Sequence, residues 1–267
     1  MPQSQQLRRK IENLKFTKAI VRTPAVSMIN GLTSASLGQP SFYLALKQHA
    51  EYIQALESCG LEVICLEANP QFPDSTFVED VALLTKNCAI ITNPGAPSRR
   101  GETAGMHPVL ASHFEHIEEI QLPGTLEAGD VMMVGSHFYI GLSARTNQEG
   151  ADQLIAHLQK YGFSGSVVEL SKVLHLKTGV AYLQNNNLLA CGEFLTHPDF
   201  AKFNILPIDE QESYAANCIW VNDTILVPLG FPKTREAIRD AGYVTMEVDV
   251  SEFRKLDGGL SCLSLRF

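Results

Sequence analysis

Four paired apolar runs recur along the chain. Val81-Ala-Leu-Leu84, Val131-Met-Met-Val134, Val180-Ala-Tyr-Leu183 and Cys218-Ile-Trp-Val221 are each followed by three turn-forming residues. A second apolar run then begins at Cys88, Phe138, Asn187 and Ile225. Apolar runs flanking a short polar turn predict β-hairpins. The first runs start 50, 49 and 38 residues apart, and Leu260 follows 42 after the last, so a like unit repeats along the chain. Helical spacing appears after most hairpins, over roughly 108–117, 149–161 and 233–241. Another helix is predicted from Ser41, a suitable N-cap, through Leu44, Ala50, Ile53 and Leu56 to Gly60, whose freedom at positive φ suits a helix end. Each unit therefore reads as hairpin, helix, strand.

The ends of the chain complete the pattern. Residues 1–16 are polar and read as a flexible extension before a strand at Lys18–Arg22 and a further strand over 61–66. The C-terminal stretch alternates apolar and polar after Gly258-Gly259, with Cys262 at its centre, and reads as the first strand of a fifth unit that lacks a second. Pairing it with Lys18–Arg22 closes a five-membered ring with no open edge. An open α+β sheet with coincidental spacing is the alternative.

Composition narrows the partners. A chain of 267 residues, 45% hydrophobic and 19% charged, can bury one sizeable core, and we read 1–267 as a single domain. The net charge of −8, with no basic run longer than Arg8-Arg9-Lys10, disfavours nucleic acid and anionic membranes and mildly favours a cationic ligand. No apolar stretch has signal-peptide or membrane-spanning length, so a cytoplasmic setting is expected, with the six scattered cysteines reduced.

The repeat makes a chemical claim: residues just before each first strand gather at one end of the ring axis. Those positions hold Glu79-Asp80, Glu127 and Asp130, His175, Asn217 and Cys262. A thiolate is the strongest side-chain nucleophile, and Cys/His sites draw their partners from distant parts of a chain. Singly, each has a duller reading: Cys262 as a core thiol, His175 between Leu174 and Leu176 as a hydrogen-bonded core histidine, Glu127 and Asp130 as turn caps. Two adjacent carboxylates at Glu79-Asp80 point to opposite faces, so one needs a buried partner. His113 and His116 share a predicted helix face, but no carboxylate or thiol completes a metal set.

Longer segments carry a resemblance. Asn30-Gly-Leu-Thr-Ser34, Phe72 to Asp80, Ser98-Arg-Arg-Gly-Glu-Thr103, Leu126-Glu-Ala-Gly-Asp130, Ser143 to Asn147, Leu174 to Gly179, Tyr214 to Cys218 and Lys255 to Cys262 resemble, in order, the dimethylarginine dimethylaminohydrolases, the bacterial ones in particular. These belong to the guanidine-modifying enzymes, which include arginine deiminases. The resemblance implies a five-bladed α/β propeller of ββαβ modules (the pentein fold). It implies hydrolysis of Nω-methylated L-arginine to citrulline and a methylamine, without metal or organic cofactor.

Residue by residue, the resemblance makes Cys262 the nucleophile that forms a thiouronium intermediate, His175 the acid and then base, and Glu127 its orienting carboxylate. Glu79 and Asp80 match positions that meet the guanidinium, Asp74 receives the α-ammonium, and Arg99 and Arg145 clamp the α-carboxylate. Backbone groups at Leu32 and Leu256 match ligand contacts. The partner expected is a small cationic amino acid, with room for a homodimer through one blade. Deimination of free arginine is the runner-up, and a catalytically silent binding protein on the same fold is the reading from another class.

Overall fold

The computed structural model describes residues 15–267, which form five three-stranded sheets. The central strands are Lys18–Arg22, Ala89–Ile91, His137–Leu142, Asn187–Ala190 and Thr224–Pro228. Each pairs antiparallel with one neighbour and parallel with the other. In four sheets the antiparallel neighbour is the predicted hairpin partner. In the fifth it is the C-terminal strand Leu265–Arg266, with Ile20 opposite Leu265 and Ala19 opposite Arg266. The two ends of the chain thus share one sheet, as the repeat requires.

The central strands read as unbroken apolar runs because both their faces are covered. Phe138 and Ile140 pack with Cys88 and Ile90 of the preceding sheet, while Tyr139 between them packs with Leu188 and Ala190 of the next. Leu189 turns the other way, toward Ile225 and Val227, and Leu226 toward Ala19 and Val21. Ile20 then faces Ala89 and Ile91, so the five clusters form a circuit from sheet to sheet back to the start. A fully buried Leu, Ile or Phe contributes about 1.5–3 kcal/mol, so these alternating positions supply much of the driving force for closure.

The helices cover the outside. Phe42–Ser58 starts where Ser41 accepts the Leu44 N–H and stops before Gly60 at φ +89°. Gln148–Lys160 and Pro232–Asp240 match their patterns. The pattern over 108–117 is shorter than expected. Its helix is Met106–Ala111, because Ile117 already begins a strand whose approach fixes the His116 carbonyl on Ala89 N–H. The unit after Asn187–Ala190 carries two 3₁₀ turns, Gly192–Leu195 and Pro198–Phe200, in place of a helix. Of the extension read over 1–16, residues 1–14 lie outside the described residues. Phe16 is tied down: its N–H donates to Asn222 Oδ1 at 2.9 Å and its ring packs on Trp220.

One feature of every unit escaped the periodicity. A short helical turn precedes each first strand: Val78–Val81, Ala128–Asp130, Leu176–Gly179, Glu210–Ala216 and Ser261–Leu263. Cys262 therefore sits in a turn before the last strand, not at the centre of a strand, and His175 caps a turn and does not lie within an apolar strand.

Candidate active site

Four of the five turns, or the residues that cap them, border a cavity of about 210 Å³ through Asp80, Glu127, His175 and Cys262. Its wall holds Cys262, His175, Glu127, Asp80, Asp74 and Arg145, with Leu32, Leu256 and Arg99 beside them. Of the residues that the resemblance assigns to the site, Glu79 alone is not on this wall; with Asn217 it borders a smaller cavity of about 40 Å³ that His175 and Cys262 also line.

His175 and Glu127 are paired. Nε2 of His175 stands 2.9 Å from Glu127 Oε2, and Glu127 Oε1 accepts the Ala96 N–H at 2.9 Å, so the carboxylate is held from both sides. Asp130, fully buried, fixes the turn beneath. It accepts the Leu176 N–H and the hydroxyls of Ser143 and Thr146. Gly129 is required where it stands: a Cβ there would lie 2.8 Å from both Asp80 Oδ1 and His175 Nδ1. Burial pulls the His175 imidazolium down, yet the Asp80 charge, the Glu127 hydrogen bond and Asp130 together outweigh it and lift its pKa from 6.5 to about 9. At neutral pH His175 carries a proton it can donate.

Asp80 faces the cavity with its charge secured. Oδ2 accepts Arg99 Nη1 at 2.5 Å and Oδ1 accepts the Gly129 N–H at 3.0 Å. Although burial opposes ionisation, Arg99 and His175 hold this carboxyl below the usual carboxylate range. Two of its four lone-pair sites stay open to a further donor.

Arg99 differs from expectation. Its guanidinium donates to Asp80, to both oxygens of Glu102 and to the Phe77 carbonyl, and it is buried. It orders Asp80 while bordering the cavity itself. Arg100, next to it, donates to the Pro94 carbonyl. Arg145 has a freer guanidinium: it is a quarter exposed, and Glu127 Oε1 stands 4.0 Å away.

Glu79 also differs. Oε1 accepts Lys177 Nζ at 2.6 Å and Oε2 accepts Ser261 Oγ at 2.7 Å. The adjacent carboxylates do point apart, Asp80 to the buried Arg99 and Glu79 to the half-buried Lys177. Glu79, Lys177 and Ser261 also line an axial cavity of about 150 Å³ bordered by the first strands of all five units.

Cys262 presents its sulfur between these groups, with the Gly259 N–H 3.4 Å away. Burial first, then the charges of Glu79 and Asp80, push its thiol up to about 12. At rest it is a neutral thiol in a field that a cation would reverse. Asp74, its carboxyl raised mainly by burial, accepts the Leu32 N–H at 2.9 Å at the other end of the cavity. Ser34 donates to Asp257 Oδ2 through both N–H and hydroxyl, and Thr33 to the Lys255 carbonyl, which brings the Leu32 segment over Leu256.

Sequence reasoning passed over Lys177, Ser261 and Asp257, although all three lie in segments it singled out. Asp257 was detectable only through its backbone, a non-glycine residue at φ +59°. Asp80, Glu127 and His175 bring donor atoms within 4.8 Å of one another, a set that could suit a cation; here Arg99, the Gly129 and Ala96 N–H groups and the His175–Glu127 bond already meet those oxygens. No helix among the described residues is long and apolar enough to cross a membrane.

Comparison with known proteins gives a consistent result. A family model described as N,N dimethylarginine dimethylhydrolase, eukaryotic, matches residues 38–198. The N(G),N(G)-dimethylarginine dimethylaminohydrolase of Pseudomonas aeruginosa is 58% identical over 253 residues, 94% of this chain and 100% of that protein. A Cys-to-Ser mutant of the Pseudomonas aeruginosa enzyme complexed with citrulline superposes with a TM-score of 0.94, over 95% of this chain and 100% of that one, at 58% identity. A His-to-Gly variant of a dimethylarginine dimethylaminohydrolase, as its adduct with S-methyl-L-thiocitrulline, is 58% identical and superposes at 0.93 over 94% of this chain and all of that one.

Proposed function

The chain belongs to the dimethylarginine dimethylaminohydrolase family, and on that premise we propose that it hydrolyses Nω-methylated L-arginine to citrulline and a methylamine with the residues of the Cys262 cavity. The observation that carries this reading is the convergence of a thiol, a protonated imidazole and an ionised carboxylate on one cavity. A cationic guanidinium beside Asp80 offsets the Glu79 and Asp80 charges that add to burial in holding Cys262 protonated, and the thiol proton leaves to solvent.

Cys262 Sγ then attacks the guanidinium carbon. As the bond to the methylated nitrogen breaks, His175 gives that nitrogen its proton, and a covalent thiouronium remains. The imidazole, now neutral, takes a proton from the water that attacks the same carbon, and the carbon–sulfur bond breaks to release citrulline. Glu127 keeps the imidazole in place through both half-reactions.

The rest of the ligand meets charge of the right sign. Asp74 takes the α-ammonium and Arg145 the α-carboxylate, with backbone contacts from Leu32 and Leu256. Arg99 holds Asp80 in place from the cavity wall. The proposal treats the chain as one catalytic domain, supported by site residues drawn from successive units. A cytoplasmic setting, supported by six unpaired cysteines, belongs to the proposal, as does a homodimer, which sedimentation would test.

The test is a substrate panel of arginine, monomethylarginine and the asymmetric and symmetric dimethylarginines, with citrulline as readout. Citrulline is expected from monomethyl- and asymmetric dimethylarginine and none from a Cys262→Ser variant. Faster release from arginine would move the reading to a deiminase, and turnover by Cys262→Ser would remove the nucleophile.

A further inference from the structure

The wall of the axial cavity follows from the register of the sheets. Leu84, Met133, Tyr182, Trp220 and Arg266 occupy the same position in the five first strands, each opposite the equivalent residue of its central strand, and all five line the cavity. Four of these side chains are apolar or aromatic and the fifth is a cation. At the hairpin end the half-buried Phe16 and Gln184 border the space. At the turn end Glu79, Lys177 and Ser261 border both it and the smaller cavity that His175 and Cys262 line.

The charges on this wall do not cancel. Glu79, Lys177 and Arg266 are its charged residues, one anion against two cations. Lys177 Nζ donates to Glu79 Oε1 at 2.6 Å, whereas Arg266 Nη2 stands 4.0 Å from the same oxygen, beyond hydrogen-bond reach. Arg266 Nη1 donates to the Ser264 carbonyl and hydroxyl, while Nη2 and Nε make no hydrogen bond among the described residues. The Arg266 side chain is only 15% exposed, so water does little to satisfy its spare donors.

We propose that the axial cavity is a second binding site, for a small aromatic monocarboxylate whose ring lies among Met133, Tyr182 and Trp220 and whose carboxylate meets Arg266. An apolar cavity of about 150 Å³ takes a benzene-sized ring, and Tyr182 and Trp220 offer such a ring aromatic partners. One surplus positive charge selects one carboxylate, which accepts a charge-assisted hydrogen bond from the guanidinium. The same surplus disfavours a cationic amino acid, whose place is beside Asp74, Asp80 and Glu127 in the other cavity.

Trp220 is the only tryptophan of the chain, so its fluorescence reports on this site directly. The full chain is titrated with benzoate, and with benzyl alcohol and benzylamine as the same ring without the charge and with the opposite one. Arg266→Met, Arg266→Lys and Arg145→Met are titrated alongside. We expect a saturable response to benzoate and binding of the other two weaker by roughly tenfold or more, as loss of a charge-assisted hydrogen bond requires. Arg266→Met should weaken benzoate by a similar factor, Arg266→Lys should retain most of the affinity, and Arg145→Met should leave it unchanged. No saturable response, or equal binding of all three compounds, would overturn the proposal. Loss of benzoate binding in Arg145→Met but not in Arg266→Met would place the carboxylate in the Cys262 cavity and overturn it as well. The comparison of the three compounds uses the unaltered protein and decides the matter if Arg266→Met does not fold. None of these titrations needs turnover, so their outcome is independent of the catalytic reading.

Discussion

Glu127 holds His175 through Oε2 at 2.9 Å while its other oxygen is fixed by the Ala96 N–H at the same distance. A carboxylate anchored this way both aims the imidazole and favours its protonated form. Glu127→Gln keeps the shape and removes the charge. The His175 pKa should then fall from about 9, and the alkaline limb of kcat should move to lower pH, with kcat reduced on the order of 10²-fold. An unmoved alkaline limb would show that Glu127 does not tune the acid.

The raised pKa of His175 also has a consequence for stability. His175 binds its proton more tightly in the folded chain, near 9, than at its ordinary 6.5. Its stabilising contribution is therefore complete below about pH 6.5 and is lost as pH rises through about 9. The urea midpoint should decline across that window. His175→Gln should flatten the decline, and an equally steep decline in that variant would assign it to other groups.

Cys262 gives a complementary prediction. Its thiol is held protonated mainly by burial, then by Glu79 and Asp80, so the free protein should show little thiolate absorbance at neutral pH. A cationic, non-hydrolysable amidine that reaches Asp80 should bring the thiolate out, whereas citrulline, neutral at its ureido end, should not. Asp80→Asn should lower the thiol's titration midpoint in the free protein. Equal thiolate with both ligands would mean that charge does not control the nucleophile.

The ring, and with it the gathering of the residues that precede each first strand, was legible in the sequence because it follows from burial. Ile20, Tyr139 and Leu226 sit in strands covered on two faces, and such strands must be apolar throughout. The Cys262 turn was not legible. Leu260-Ser-Cys-Leu-Ser-Leu265 reads as a strand apart from the adjacent apolar pair Cys262-Leu263, and what bends it is tertiary: Gly258 lies against Phe77, Gly259 against Asn217, and the Ser261 N–H finds a side chain from another unit. The ends of the chain show a similar limit, since Phe16 reads as part of a polar tail until Asn222 and Trp220 are seen to hold it. Arg99 could not be assigned from its own segment because Asp80 lies 19 residues away, although Glu102 at i+3 was a local hint that its charge is internally paired.

The two arginines should now separate by experiment. Arg145→Met removes a partly exposed charge at the cavity wall, so KM should rise roughly 10- to 100-fold, as loss of a charge-assisted hydrogen bond worth about 1.5–3 kcal/mol requires. The fold should tolerate it. Arg99→Met strands Asp80 and Glu102 in the interior and should cost about 3–5 kcal/mol of stability, the penalty for breaking a buried ion pair. A variant of Arg99 with a normal urea midpoint and only a raised KM would assign it to ligand binding alone.

Closure of the ring predicts that the first described strand controls a nucleophile almost the whole chain away from it. Ile20 is fully buried, pairs with Leu265 and packs with Ala89 and Ile91, while Ala19 pairs with Arg266 two strand positions beyond the Cys262 turn. The Phe267 carbonyl also accepts the Thr17 and Lys18 N–H groups, so residues 17–20 and 265–267 hold each other. Ile20→Ala opens a cavity in this seam and should cost about 2–5 kcal/mol. Below the melting transition it should also loosen the last strand, raising hydrogen exchange at Leu265 and lowering kcat more than KM. Substitution of Leu158, equally buried but packed in the cluster with Phe138, should match the stability loss without the drop in kcat. If both variants lose stability and activity in the same proportion, the seam has no special hold on Cys262 and the coupling is rejected.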